Sequence, residues 1–122
     1  MGGISNSEGD AIVTDASGNV FTAGQFYNTT DFDPSPAVFT LTANGAIGWQ
    51  DLFITKFDAN GNFIWAKQLG GTSYEFLKGM TIDASGNLLL TGYFNGTADF
   101  DPGSVVSNLV SVGAGSDIFI CK

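Results

Sequence analysis

The pentapeptide Asp15-Ala16-Ser17-Gly18-Asn19 returns unchanged as Asp83-Ala84-Ser85-Gly86-Asn87, and with one substitution as Asp58-Ala59-Asn60-Gly61-Asn62. Each copy lies between two short apolar runs: Ala11–Thr14 and Val20–Ala23, Leu52–Phe57 and Phe63–Lys67, Met80–Ile82 and Leu88–Thr91. An Asp that can bond its own downstream backbone, then small residues and a Gly free to take positive φ, is the chemistry of a tight turn between antiparallel strands. A chain punctuated in this way is a series of β-hairpins. Composition agrees, since 11 Phe and 17 Gly among 122 residues suit short strands and sharp turns rather than long helices.

The shift of 68 positions from Asp15 to Asp83 carries a whole block with it. Thr22–Phe26 maps onto Leu90–Phe94, Asp31-Phe32-Asp33-Pro34 onto Asp99-Phe100-Asp101-Pro102, and Gly2-Gly3 onto Gly70-Gly71. Later the shift becomes 66, aligning Asp51–Lys56 with Asp117–Lys122. The chain is a tandem repeat, with units expected at 1–69 and 70–122. One unit reads as four strands: Asp10–Thr14, Asn19–Gln25, Leu52–Phe57 and Asn62–Gln68. A long connection, Phe26 to Gln50, carries a short extended piece at Val38–Thr42. Apolar residues fall on both faces (Leu88-Leu89-Leu90, Phe63-Ile64-Trp65), which implies an antiparallel sheet packed between two other layers.

Four-stranded antiparallel sheets, repeated in tandem and covered on both faces, describe β-propeller blades. The expected fold is therefore all-β, with about one and three-quarter blades, because the second copy stops at Lys122 without the final strand. A seven-stranded sandwich is the alternative. Two blades cannot close a ring, so the expectation is a homo-oligomer, a trimer or tetramer giving six or eight blades, or the remainder of a longer propeller.

The same residues resemble the SBBP repeat, the bacterial "seven-bladed β-propeller" repeat. The resemblance rests on Asp15–Asn19 and Asp83–Asn87, on Thr91-Gly92 (Ala23-Gly24 in copy one), and on Asp51–Lys56 with Asp117–Lys122. It is completed by Asp58–Asn62, Trp65 and Gly70-Gly71. It implies a secreted or cell-surface bacterial protein of many repeats, and it brings no catalytic residues. Met1-Gly2-Gly3 begins no signal-peptide pattern, so this localisation is an expectation for the parent protein.

The formal net charge of −8 argues against nucleic-acid binding and against anionic membrane surfaces, and no apolar run is long enough to span a bilayer. Cys121 is the single cysteine, so no disulfide forms within the chain. With no His there is no Ser–His or Cys–His pair, and zinc is disfavoured. Carboxylates remain. Asp31 and Asp33, with Asp99 and Asp101, are candidate Ca²⁺ ligands in two copies of one loop. The competing and favoured reading has the first Asp make an Asx turn, the Phe plug the core and the Pro stiffen the loop. Tyr27, Trp49, Trp65, Tyr74 and Tyr93 are candidates for stacking on a glycan, Trp49 foremost because it falls in a loop with Gly48 and Gln50, whereas Trp65 falls within a strand and suits the core. The expected function is a non-enzymatic structural or binding module that presents loops to a protein or glycan partner. The alternative is a glycosidase-like acid–base hydrolase, marked by a pair of acids that does not recur with the repeat.

Overall fold

The computed structural model describes residues 6–46 and 48–122. The Gly2-Gly3 pair aligned with Gly70-Gly71, and the Met1 start, lie outside them. Every strand pairing is antiparallel, and no helix occurs among the described residues. Repeat one contributes β1 (Ser7–Thr14), β2 (Val20–Tyr27), β3 (Thr29–Asp31), β4 (Thr40–Thr42), β5 (Gln50–Phe57) and β6 (Phe63–Gly71). Repeat two contributes β7 (Glu75–Ile82), β8 (Leu88–Phe94), β9 (Thr97–Asp99), β10 (Asn108–Val110) and β11 (Asp117–Cys121). Strands β1-β2-β5-β6 form a four-stranded meander, and β7-β8-β11 the same meander with three strands. The expected unit boundary at 69/70 falls inside β6.

The three Asp turns close their hairpins identically. In the first, Asp15 Oδ1 accepts the backbone N–H of Ser17 and of Asn19, both at 2.9 Å, and Oδ2 accepts the Asn19 amide at 2.7 Å. Asp58 and Asp83 repeat the arrangement with Asn60 and Asn62, and with Ser85 and Asn87. The fourth residue must be left-handed for the chain to turn back, and Gly18, Gly61 and Gly86 sit at φ of 80°, 83° and 85°.

Both first strands start earlier than alternation suggests, at Ser7 rather than Asp10 and at Glu75 rather than Met80. The reason is a β-bulge in each, between Gly9 and Ala11 and between Leu77 and Gly79. The extra residues are Asp10 and Lys78. A bulge inserts one residue and reverses which side chains face inward, so the period-two pattern breaks there. The long connection also holds a full hairpin, β3 against β4, of which only the second half was legible. In repeat two the equivalent hairpin, β9–β10, joins the first sheet through Gly70 and Gly71 of β6. A Cβ on Gly71 would fall 1.8 Å from the Thr97 carbonyl oxygen, so only glycine allows this contact.

Alternation gives the first sheet two distinct faces. One is aliphatic, carrying Ala23, Leu52, Ile54 and Leu69; the other carries Phe26, Phe53 and Ala66. In repeat two the 68- and 66-residue shifts turn Phe26 and Phe53 into Phe94 and Phe119. These two pack with Leu77 and Leu90 directly onto the aliphatic face of repeat one. The core is therefore a seam between unlike faces: aliphatic from one repeat, phenylalanine from the next. β5 is buried on both sides as expected, but the aliphatic-type face of repeat two is open.

Candidate functional site

The Asp-Phe-Asp-Pro loops follow β3 and β9 and are built alike. Asp31 Oδ1 accepts the N–H of Asp33 at 3.0 Å and of Phe39 at 2.9 Å; Asp99 Oδ1 accepts those of Asp101 at 3.0 Å and Ser107 at 2.8 Å. Asp33 and Asp101 accept the N–H of Ser35 and Gly103 in turn. The Phe39 and Asp33 amides hold the Asp31 carboxyl below the usual carboxylate range. Between the acids, Phe32 and Phe100 point inward. Phe32 meets Phe26 at 5.3 Å and Phe53 at 4.8 Å between ring centroids, and Phe100 meets Phe94 at 5.3 Å and Phe119 at 4.3 Å. One oxygen of each leading Asp thus caps backbone amides while its Phe neighbour completes a three-ring cluster. Cys121 packs at the same place, donating its thiol to the Phe100 carbonyl at 3.2 Å.

The aromatic candidates are partly brought together. Trp49 stacks on Tyr74, with centroids 5.4 Å apart and planes 13° apart. Tyr74 meets Phe76 edge-on at 5.7 Å, and Phe76 stacks on Tyr93 at 4.9 Å. The Lys78 ammonium sits 5.4 Å from the Tyr93 ring centroid. With Gly48, Gln50 and Ser116 these four rings line an open hollow of about 400 Å³. Tyr27 ends β2 in register with Gln50 and does not line it. Trp49 is half-buried against Tyr74 rather than freely exposed. Flat rings with polar tips offer surface to a sugar face or to apolar side chains. Phe76 was not singled out in the sequence, because the Lys78 bulge hid the start of β7, where Phe76 follows Tyr74.

A second arrangement lies beneath the surface. Asp51 of β5 and Glu75 of β7 are both 0% exposed and within hydrogen-bonding reach of each other across the seam. Asp51 Oδ2 accepts the Asn44 N–H at 2.9 Å and the Gln68 side-chain amide. Asp51 Oδ1 has no other partner, and the Glu75 carboxyl has only the Gly71 backbone N–H directed at it besides Asp51. Burial, then the neighbouring Asp51 charge, pushes the Glu75 carboxyl up to about 9, and burial raises Asp51 too. Around them the Gln25 side-chain oxygen accepts the Leu77 N–H at 3.2 Å, and the Gln50 amide donates to the Glu75 carbonyl at 3.4 Å. The sequence did carry a signal for this pair. Asp51 recurs as Asp117, but Glu75 stands where repeat one has Ser7, an acid out of step with the repeat. Neither carboxyl is exposed at the surface.

Residues 64–101 match the profile of a family described as SBBP, a beta-propeller repeat. The chain is also similar to an uncharacterized WD repeat-containing protein of Acanthamoeba polyphaga mimivirus, at 28% identity over 114 residues. The match covers 80% of this chain and 8% of that relative, so the chain spans a small part of the protein it resembles. No solved structure matches it significantly. The family match includes Trp65, Gly70-Gly71, the Asp83 turn and Thr91-Gly92, residues on which the resemblance rested.

Proposed function

A chain that carries the SBBP β-propeller repeat is, we propose, a non-enzymatic structural and binding module whose open face takes the phenylalanine face of another repeat. The observation that carries this reading is a difference between equivalent positions. Leu52 and Ile54 are 0% and 5% exposed beneath repeat two, whereas their counterparts Ile118 and Ile120 are 80% and 77% exposed. Leu89, Thr91, Tyr93 and Phe76 complete the same open face. At the other end, among the described residues, the phenylalanine face of repeat one is covered by its own loop, with Phe32, Leu41 and Ala43, and by Phe63. The open half of the seam is thus the aliphatic-type face of repeat two, whereas Phe26, Phe32 and Phe53 of repeat one are 0–4% exposed and would dock through the loop that covers them.

The partner is accordingly a further repeat of the same kind. In the isolated chain this makes a homo-oligomer, with a trimer or tetramer ring as the closed forms. The resemblance supports a secreted or cell-surface bacterial setting, in which the Asp turns and Trp49 are the parts offered to a protein or glycan, while Tyr93 and Phe76 belong to the docking face. The hydrolase reading receives no support from Asp51 and Glu75, since acid–base work needs groups that reach the substrate. Light scattering on a size-exclusion column tests the docking reading. Discrete multiples of the chain mass are expected, with the multiples lost in an I118T/I120T double variant. A wild-type chain that stays monomeric at high concentration would overturn it.

A further inference from the structure

We propose that Asp51 and Glu75 hold one proton between them in the folded chain, so that the seam joining the two repeats is tightened by acid. This reading concerns the internal seam and stands independently of whether the open face docks.

The geometry is that of a shared proton. One carboxyl comes from each repeat, and neither is exposed at the surface. Among the described residues, Asp51 and Glu75 hold the buried side-chain oxygens short of donors, with the Gly71 N–H directed at the Glu75 carboxyl. Two carboxylates can only accept hydrogen bonds, so if both were ionised Asp51 and Glu75 would face each other with no donor between them, and the Gly71 N–H would be the one amide offsetting the Glu75 charge. One proton on Glu75, donated to Asp51, removes one charge and supplies the missing donor. A cation suits the site poorly. Asn44 N–H and the Gln68 amide already direct donors at Asp51, and no group of three or more acidic, His or Cys side chains forms among the described residues. The roof is tight as well: a Cβ on Gly70 would lie 2.5 Å from the Asp51 carboxyl carbon.

The strands packed on β7 carry few other charges. β1 brings Glu8 and Asp10, β5 brings Lys56 besides Asp51, and β2 and β8 bring only Tyr27 and Tyr93 as titratable groups. Of these, only the Asp51 charge bears on Glu75, while Lys78 of β7 acts on Asp10. The sign follows. Glu75 holds its proton up to about 9 when folded and to 4.5 when free, so the native state carries the extra proton between those limits. Stability is full below that window and falls as pH rises through it, by up to about tenfold in the folding constant per pH unit.

Urea unfolding at about pH 5.5 and about pH 8 tests this, with E75Q beside the wild type. Glutamine keeps a donor toward Asp51 and has no proton to lose. The expected result is a wild-type midpoint that falls at the higher pH and an E75Q midpoint that does not move. If E75Q fails to fold, E75S, which copies Ser7 of repeat one, takes its place. The infrared band of a protonated carboxylic acid should appear in wild type near neutral pH and vanish in the variant. Equal wild-type midpoints, a variant that keeps the slope, or Ca²⁺ raising the wild-type midpoint alone at the higher pH would each overturn the proposal.

Discussion

Ile118 stands 80% exposed in the position that Leu52, at 0%, occupies one repeat earlier. The two share a register: Leu52 lies opposite Gln25 on β2, and Ile118 opposite Tyr93 on β8, the same strand position 68 residues on. What separates them is that repeat two packs over Leu52. Leu52→Ala should therefore destabilise the chain by about 2–5 kcal/mol, through lost burial and the cavity left behind. Ile118→Ala should stay within about 0.5 kcal/mol in the monomer. Urea midpoints of the two variants decide; equal losses would mean that Ile118 is already covered.

The three-ring clusters give a second contrast. Phe32→Ala and Phe100→Ala should each cost about 3–5 kcal/mol, because each ring fills the gap between two buried phenylalanines. Thermal or urea unfolding measures this, and a loss below about 1 kcal/mol would show that the loops can be emptied without consequence.

Gly92 lies where the bulged strand β7 crowds β8, and a Cβ there would sit 2.0 Å from the Phe76 carbonyl oxygen. Gly92→Ala should cost about 2–3 kcal/mol or more, since backbone must move. Gly61→Ala meets nothing within 4 Å and suffers only from its φ of 83°, so a loss of about 1–2 kcal/mol is expected. Denaturant midpoints showing the reverse order would mean that the bulge relaxes readily.

Acid should unfold the protein through its turns. Hydrogen bonds from Asn19, Asn62 and Asn87 hold the Asp15, Asp58 and Asp83 carboxyls below their ordinary 3.8, and Lys122, 2.9 Å away, assists at Asp83. A depressed carboxyl contributes stability above its unfolded value, and that stability is lost as pH falls through the folded one. Circular dichroism across an acid titration should show unfolding below about pH 4, at a higher pH in Asn87→Ala. This limb has the opposite sign to that of Glu75, so stability should peak in mildly acidic solution.

The Asp-Phe-Asp-Pro loops, read as backbone caps, make a plain prediction about metal. EDTA should leave the melting temperature unmoved, because a ligand that binds only the folded state must raise it. A fall on chelation would instead assign Ca²⁺ to Asp31, Asp33, Asp99 and Asp101.

The fold was legible where a residue's role is local. The Asp15, Asp58 and Asp83 turns close on bonds within five residues, and β5 announced its double burial through Leu52 and Ile54 alternating with Phe53 and Thr55. Where meaning depends on a partner strand, the sequence was mute. The bulges at Asp10 and Lys78 shifted the inward pattern, which concealed the starts of β1 and β7 and with them Phe76. Asp51 was visible as a repeated residue, but nothing local says that it faces Glu75, which lies 24 positions away in the next repeat. Tyr93 and Trp49 were read as single candidates, and only the stacking through Tyr74 and Phe76 joins them.

The seam joins unlike faces, and this bears on how such chains can change length. A repeat inserted between two others meets an aliphatic face behind it and offers one ahead, so the apolar contacts of the seam are reproduced in kind, while the Asp51–Glu75 contact is particular to this junction. Duplication or loss of a whole unit is then structurally silent at its borders, while a cut inside a unit is not. A pair of identical faces would permit only back-to-back doubling; unlike faces let a gene grow by one unit at a time.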